Sequence, residues 1–320
     1  MFKKRYIWMI IYGAVLFAFT LYVILDTFVI TRVYSVETVK SSESGVSIAA
    51  EQQNIPDEET AEESVQAQTE EQEAIYSEPE ITETAYRDDN ISISIEEYRE
   101  YDTAIYVADI QVSSVEYLKA AFAQGLYGKN VTAETSQIAY DNDAIIAVNG
   151  DFYGSQESGY VIRNGRLYRD TSAGREDLVI YENGSFEIIN EDSVSAKELM
   201  ERGAWQVLSF GPAIVMDSEI SVSVNEEVGK AMSSNPRTAI GFIDANHYVL
   251  VVSDGRTSES EGLSLYELAD FMQSIGVKTA YNLDGGGSST MYYNGEVVNN
   301  PTTNGSIRER QVSDIVYLGY

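Results

Sequence analysis

The 320-residue chain has no cysteine and one histidine, and it sets only 21 Lys and Arg against 51 Asp and Glu. Each shortage removes a class of chemistry. Without cysteine there is no thiol nucleophile, no disulfide frame, no thiolate-held zinc or iron–sulfur cluster, and no lipid-modified cysteine anchor. A lone histidine, His247, cannot build an H-E-x-x-H zinc site or a facial triad of two histidines and a carboxylate. A formal charge of -30 is the wrong sign for a nucleic-acid partner, because displacing counterions from phosphates takes a net supply of Lys and Arg. What remains is chemistry run by carboxylates, arginines, hydroxyls and backbone amides.

Composition divides the chain into three zones. Residues 1–40 carry five basic and two acidic side chains, whereas residues 41–89 carry fifteen acidic and one basic. Lys3, Lys4 and Arg5 precede an uncharged run from Tyr6 to Leu25. As a helix rising 1.5 Å per residue, about 20 such residues cross the ~30 Å hydrocarbon core of a bilayer. The cations in front of the run keep the N-terminus cytoplasmic, so everything after it lies outside the cell membrane. The run is too long for the core of a cleaved signal peptide, and an uncleaved single-pass signal anchor is expected; cleavage at Val33-Tyr34-Ser35 is the alternative. Residues 41–89 scatter their hydrophobes singly among Glu, Gln, Ser and Thr, which predicts a disordered, self-repelling stalk that lets the following domain work away from the membrane.

Residues 90–320 read as one α+β domain around a mixed, largely antiparallel sheet with a few helices. Ile91 to Ile95 alternates with period two and pairs with Thr103 to Val112 as an opening hairpin. Asn164-Gly165 and Asn183-Gly184 each stand between strand-like runs and predict type I′ hairpins. A third hairpin joins Thr238–Ile243 to Tyr248–Ser253. The stripe at Leu265, Leu268, Ala269, Met272 and Ile275, with Ser264 as N-cap, Glu267 three residues on and Gly276 as stop, predicts a helix. Shorter helices are expected over 117–122, 133–140 and 196–202.

Four polar clusters stand at strand ends: Asn149-Gly150-Asp151-Phe152-Tyr153, Asn235-Pro236-Arg237-Thr238, Ser253-Asp254-Gly255-Arg256, and Asn282-Leu283-Asp284-Gly285-Gly286-Gly287-Ser288-Ser289-Thr290. In the last, the glycines allow either sign of φ, so the backbone amides can curl into an anion-binding nest supplemented by Ser288 and Ser289. Arg237 and Arg256 can add fork-shaped charge for a phosphate or carboxylate. The loop is neither a Walker A motif nor a dinucleotide turn, and a plain tight turn is the competing explanation of the glycines. Asp254 has a turn-forming role as its alternative, and His247 reads as a solvated loop residue.

The ordered set N-G-D-F-Y (149–153), N-P-R-T-A-I-G (235–241), V-S-D-G-R (252–256), G-L-S-L-x-E-L-A (262–269), N-L-D-G-G-G-S-S-T (282–290), N-N-P (299–301) and R-Q-V-S-D (310–314) resembles the phosphodiester glycosidase family, including its bacterial exopolysaccharide-biosynthesis members. The resemblance covers about residues 90–320 and leaves the anchor and stalk outside. It implies hydrolysis of the glycosidic bond of sugar-1-phosphodiesters, with a phosphate-linked cell-surface or exopolysaccharide glycan as substrate. Carried onto this chain, it implies Asp284, Asp254 and Asp151 as catalytic residues, although the family often has a small residue where Asp151 stands. It also implies Asn149, Arg237, Arg256, Gly285, Gly286, Gly287, Ser288 and Ser289 as substrate or phosphate ligands.

The bond suits such a set. A phosphodiester is already a good leaving group, so the demand shifts from protonating it to holding its charge, with one or two aspartates on the sugar side as nucleophile or base. No cofactor and no metal site are implied; a divalent cation at the rim 258–264, with Glu259 and Glu261, is the alternative. Two other functions compete: a non-catalytic surface module binding teichoic acid or another anionic polysaccharide during envelope assembly, and a phosphodiesterase releasing sugar phosphate. The second has against it that two-metal sites need more ligands than cluster here.

Overall fold

A computed structural model describes residues 7–35, 78–225 and 234–320. Residues 1–6, expected as a cytoplasmic tip, and residues 41–77 of the expected stalk lie outside the described residues. The first helix, Ile7–Phe28, buries none of its side chains against the protein, with a mean hydropathy of 2.2, and is long and apolar enough to cross a membrane.

The fold is α+β and sheet-rich. Every strand pairing among the described residues is antiparallel, and the strands divide into one nine-stranded sheet, two five-stranded sheets and two short ribbons instead of a single sheet. The inward residues of the three large sheets meet in one core. Ile93, Ile110, Ile240 and Leu250 come from the first, Leu178, Ile180 and Leu208 from the second, and Ile146, Val148, Met291 and Val316 from the third. Because side chains alternate across a strand, Ala239, Val249 and Val251 point the other way, where helix Leu265–Ser274 covers them with Leu265, Leu268, Phe271 and Met272. Each of these larger side chains contributes roughly 1.5–3 kcal/mol by leaving water. Helix Thr135–Asp141 covers the outer face of the third sheet through Ile138 and Ala139, and helix Ala196–Glu201 that of the second through Leu199. Three sheets with one helix behind each is the architecture that holds the site.

Local signals acted as their chemistry requires in most places. Ser264 and Glu267 form a reciprocal capping box, and Gly276 leaves the helix at φ 87°. The opening hairpin pairs Ile91–Glu100 with Thr103–Val112. Asn164 and Gly165 both have positive φ and make the tight turn between Val161–Arg163 and Arg166–Arg169. The second Asn-Gly pair departs from expectation. Only Gly184 takes positive φ, and the Tyr181 amide donates to Ser185 O, so three residues form the loop. Asn183 Oδ1 is used instead to accept from the Ser185 amide at 3.0 Å.

Two other expectations are corrected. Residues 118–122 are not helical: Leu118–Phe122 is a strand along the edge of the third sheet, pairing with Asp314–Leu318, and only Val115–Tyr117 makes a 3-10 turn. Nor does sheet structure wait until Asn90, because Glu80–Ile81 and Ala85–Arg87 already pair, with Tyr86 buried and Asp88 Oδ1 accepting from the amides of Asn90 and Ile91. Immediately after the apolar helix, Arg32–Val33 forms a ribbon with Gly128–Lys129, and Asn130 Nδ2 donates to Ile30 O at 3.0 Å. The exit of that helix is therefore docked on the domain and is not part of a free tether.

The second sheet buries an unusual acid. Asp177 is fully buried, with the Ser209 hydroxyl and the Glu191 carboxylate as its polar neighbours. Burial, reinforced by the charge of Glu191, pushes the Asp177 carboxyl up to about 9. Burial would raise Glu191 too, but amides of Ala173, Tyr160 and Arg175 overcome it and hold Glu191 below the usual range. A carboxyl raised on folding stabilises fully below the unfolded value near 3.9, and that contribution is lost as pH climbs toward 9. Asp177→Asn, which mimics the neutral acid, is expected to match wild type near pH 4 and exceed its stability by about 4 kcal/mol at pH 7. Urea denaturation at several pH values checks it; a difference that does not vary with pH rules out a neutral Asp177.

Candidate active site

Strand register gathers the polar clusters. Ala239 pairs with Asn282 and Arg237 with Ser253, so the start of Arg237–Asp244 and the ends of Thr279–Asn282 and His247–Ser253 share one edge of the nine-stranded sheet. In the third sheet Ile315 pairs with Asn149, which sets the Asn149-Gly150-Asp151 turn beside Asp314. Asn149 joins the two edges. It is fully buried, its Nδ2 donates to Asp284 O at 2.6 Å, and its Oδ1 accepts from Thr238 Oγ1 at 2.8 Å and from the Thr290 amide at 3.3 Å. Its contacts position the backbone of Asp284.

Asp284 stands between two hollows. The wider, about 150 Å³, is lined by Arg237, Arg256 and Arg310 together with Asp284, Gly285 and Gly286. The smaller, about 50 Å³, is lined by Asp284 and Arg310 together with Gly150, Phe152, Ser313 and Asp314. The Asp284 Oδ2 accepts from Ser288 Oγ at 2.6 Å and from Arg310 at 2.8 Å. Burial raises the Asp284 carboxyl above its usual value, while Arg310 and Ser288 pull the other way. The result is a carboxylate held in one orientation by a cation and a hydroxyl and poorly solvated, which is the condition of a nucleophile or base.

The arginines are held from behind. Arg237 is buried, and its Nε donates to Leu263 O at 2.7 Å. Arg256, at φ 61°, donates from Nε and Nη2 to Asn235 Oδ1 at 3.2 and 2.8 Å. A Cβ on Gly286 would lie 2.8 Å from the Arg256 guanidinium, so a side chain there would displace it. Arg310 opens the R-Q-V-S-D motif, yet sequence reasoning did not place it among the site residues. Nothing local marks it out; only the fold brings it across to Asp284.

The glycine loop works differently from the expected nest. The amides of Gly286, Ser288 and Ser289 donate to Pro236 O, Gly285 O and Gly286 O, so they turn inward. Gly287 faces Thr303, whose hydroxyl donates to Gly287 O at 3.2 Å. Ser289 is fully buried, and its Oγ has no partner. Ser288 serves Asp284 directly. Charge for an anion in this cleft therefore comes from guanidinium groups, with the glycines providing close approach.

Asp254 and Asp151 are placed elsewhere. Asp254 Oδ1 accepts from Asn299 Nδ2 at 3.1 Å and from the Asn300 amide at 2.8 Å, and its Oδ2 accepts from Asn300 Nδ2 at 3.0 Å, so it ties down the N-N-P loop. Asp151 and Asp314 flank Arg163, with contacts of 2.9 and 2.8 Å, and all three are buried. The other Asp151 oxygen accepts from the Ser209 amide at 2.8 Å. His247 is half-buried, with its Nε2 2.9 Å from Asp109 Oδ2, instead of free in a loop. Among the described residues no group of three or more His, Asp and Glu is placed to hold a metal ion.

Comparison with known proteins gives the family and the fold. The sequence profile of the family described as phosphodiester glycosidase matches residues 142–318. An SPbeta prophage-derived uncharacterized protein of Bacillus subtilis is 30% identical over 183 residues, covering 55% of this chain and 28% of that one. The mouse N-acetylglucosamine-1-phosphodiester alpha-N-acetylglucosaminidase is 28% identical over 173 residues, covering 49% of this chain and 33% of the enzyme. The chain thus spans about a third or less of the length of these curated relatives. In fold it is similar to the catalytic domain of the zebrafish enzyme of that name, with a TM-score of 0.57 at 20% identity over 72% of this chain and 83% of that one. A hypothetical protein from Synechocystis gives a TM-score of 0.56 at 14% identity, over 72% of this chain and 62% of that one. With more than half of its residues matched to the profile, the chain belongs to the phosphodiester glycosidase family.

Proposed function

We propose that the domain hydrolyses the glycosidic bond of sugar-1-phosphodiesters, freeing the sugar and leaving the phosphate on its other partner, and that it does so outside the cell on phosphate-linked surface or exopolysaccharide glycans. The single observation carrying this is the convergence of Arg237, Arg256 and Arg310 on one cleft with a burial-raised Asp284. Three cations neutralise the phosphodiester and the second negative charge that develops as the C1–O bond breaks, so no acid has to protonate the leaving oxygen. Asp284 faces the sugar side as nucleophile or base. Membership of the family supports the reaction type, and the N-terminal apolar helix supports a single-pass anchor with a cytoplasmic N-terminus. Docking of Arg32–Val33 on the domain would then keep catalysis close to the bilayer.

Product analysis with a synthetic N-acetylglucosamine-1-phosphodiester is the test. Free sugar is the expected product; sugar phosphate would indicate P–O cleavage, and binding without turnover would indicate an anionic-polymer module.

Arginine replacements refine it. Arg256→Lys and Arg237→Lys keep the charge but lose the planar fork, and each should lower kcat/KM on the phosphodiester by about 10–100-fold, or roughly 1.4–2.7 kcal/mol. On a substrate with an uncharged aryl leaving group they should change little. Arg310→Lys should lose similar fractions on both, because it also orients Asp284. Equal losses for all three would make Arg237 and Arg256 supports of the loops instead of phosphate ligands.

A further inference from the structure

The chain passes from the apolar helix to the domain with almost no slack. The amides of Val29 and Ile30 both donate to Leu25 O, at 2.9 and 2.7 Å, and Arg32 already belongs to the ribbon with Gly128–Lys129. At 1.5 Å per residue the 22 residues of Ile7–Phe28 rise about 33 Å, enough for the ~30 Å hydrocarbon core. Arg32 follows Phe28 by four residues, a reach of at most about 14 Å. Headgroups occupy roughly 5–8 Å beyond the hydrocarbon on each side. The ribbon, and whatever it borders, therefore lies at or just above headgroup level.

It borders a hollow of about 540 Å³ that the catalytic residues do not line. Tyr34, Tyr127 and Tyr168 supply an aromatic wall, with the Tyr127 ring 5.7 Å from that of Tyr34 and 5.2 Å from that of Tyr168. Such rings, apolar in body and polar at the tip, suit the membrane–water boundary. Two of the charges at the hollow are paired within the protein, Arg32 with Asp26 and Glu157 with Lys129 at 2.6 Å. Arg169 differs. It is half-buried, its Nε donates to Gly159 O at 2.6 Å, and its Nη1 donates to Gln156 O and Tyr153 O at 2.8 and 3.3 Å. All of these acceptors are neutral, and Arg169 makes no ion pair among the described residues. With Tyr127 as a further partner, one of the five N–H donors of the guanidinium is still left over. Burial works against its charge, a cost that a bound anion would offset. Arg166, 5.2 Å from the centre of the Tyr168 ring, and Arg175, which donates to Gln156 Oε1 at 2.8 Å, add positive charge around it, with Asp170 the carboxylate next in sequence to Arg169.

We propose that this hollow seats the phosphate headgroup of an anionic phospholipid in the outer leaflet, with Arg169 facing the phosphate and the tyrosines flanking the glycerol end. The assignment rests on the single-pass anchor proposed above and is independent of the hydrolytic reaction. The Asn130 amide donates to Gly154 O at 3.0 Å, so the ribbon strand Gly128–Lys129 leads directly to the turn Tyr153–Ser155. A lipid held here would fix how the domain stands on the bilayer.

The test titrates the full chain, in a non-ionic detergent, with dihexanoyl-phosphatidylglycerol, dihexanoyl-phosphatidylcholine and inorganic phosphate, and reads binding by calorimetry. The anionic lipid is expected to bind about tenfold or more tighter than either of the others. Gln156→Glu keeps an acceptor for Arg175 but sets a negative charge in the hollow. It should weaken the anionic lipid by about tenfold or more and leave phosphatidylcholine within about threefold. Arg169→Gln should show the same selective loss. A wild-type chain that binds phosphatidylglycerol no tighter than phosphatidylcholine overturns the proposal without any variant having to fold. Inorganic phosphate binding as tightly as the lipid also overturns it, in favour of a free-anion site. So does wild-type affinity for phosphatidylglycerol in Gln156→Glu, which would place the lipid elsewhere on the chain. Release of the chain from membranes by alkaline carbonate would instead overturn the single-pass reading itself.

Discussion

Asp284→Asn is expected to reduce kcat on a sugar-1-phosphodiester by at least 1,000-fold, a loss of about 4 kcal/mol of transition-state stabilisation, while leaving the unfolding midpoint close to wild type. The asparagine keeps an acceptor for Ser288 and Arg310, so the contacts that hold the side chain survive. What it loses is the negative charge facing a carbon that becomes positive as the phosphate departs. Burial raises the carboxyl of Asp284, and Arg310 restrains that rise, which together keep a reactive anion poorly solvated. The arginines of the cleft remain in the variant, so binding of the phosphodiester should persist and the loss should appear in kcat more than in KM. Steady-state kinetics beside urea denaturation checks both halves. Retention of more than a tenth of kcat would remove Asp284 from the catalytic set.

Much of the site was legible because it lies where strands stop. Asn149, Arg237, Asp254 and Asp284 each follow or open a hydrophobic run, and antiparallel register carries most such ends to a common edge. What the local sequence could not say is which way each side chain turns once there. Asp254 meets Asn299 and Asn300 across 45 and 46 residues of chain and serves the N-N-P loop, while Arg310 crosses 26 residues to reach Asp284. The glycine run promised a nest, but Pro236 O and the loop's own carbonyls use three of its amides. Leu118-Lys119-Ala120-Ala121-Phe122 has the composition of a helix, and tertiary pairing with Asp314–Leu318 overrides that preference. Helix Leu265–Ser274 lay open to prediction for the opposite reason, since its cap, stripe and stop are all local.

Arg163→Met is expected to destabilise the domain by about 3–5 kcal/mol at pH 7, because it removes the cation from between two buried carboxylates and leaves both uncompensated. Burial opposes the charge of Arg163 itself, but Asp151 and Asp314 outweigh that and hold it ionised. The guanidinium also donates to Ile162 O at 3.1 Å and to Val207 O, so it fastens the second sheet to the Asp151 turn of the third. Without it, burial and the charge of Asp151 both push Asp314 upward, with only the Asp151 backbone amide left to pull it down. A carboxyl raised on folding costs more as pH climbs above the unfolded value near 3.9, so the penalty should be smaller at pH 5 than at pH 8. The triple variant Arg163→Met, Asp151→Asn, Asp314→Asn should recover most of the stability, since neutral groups need no counter-charge. It should not recover activity. Gly150 O accepts from the Asp284 amide at 3.3 Å, so loosening this turn moves the backbone that aims Asp284. Urea denaturation of the three proteins at both pH values decides it. A penalty below about 1 kcal/mol at each pH would mean that Asp151 and Asp314 are accommodated as neutral acids and need no arginine.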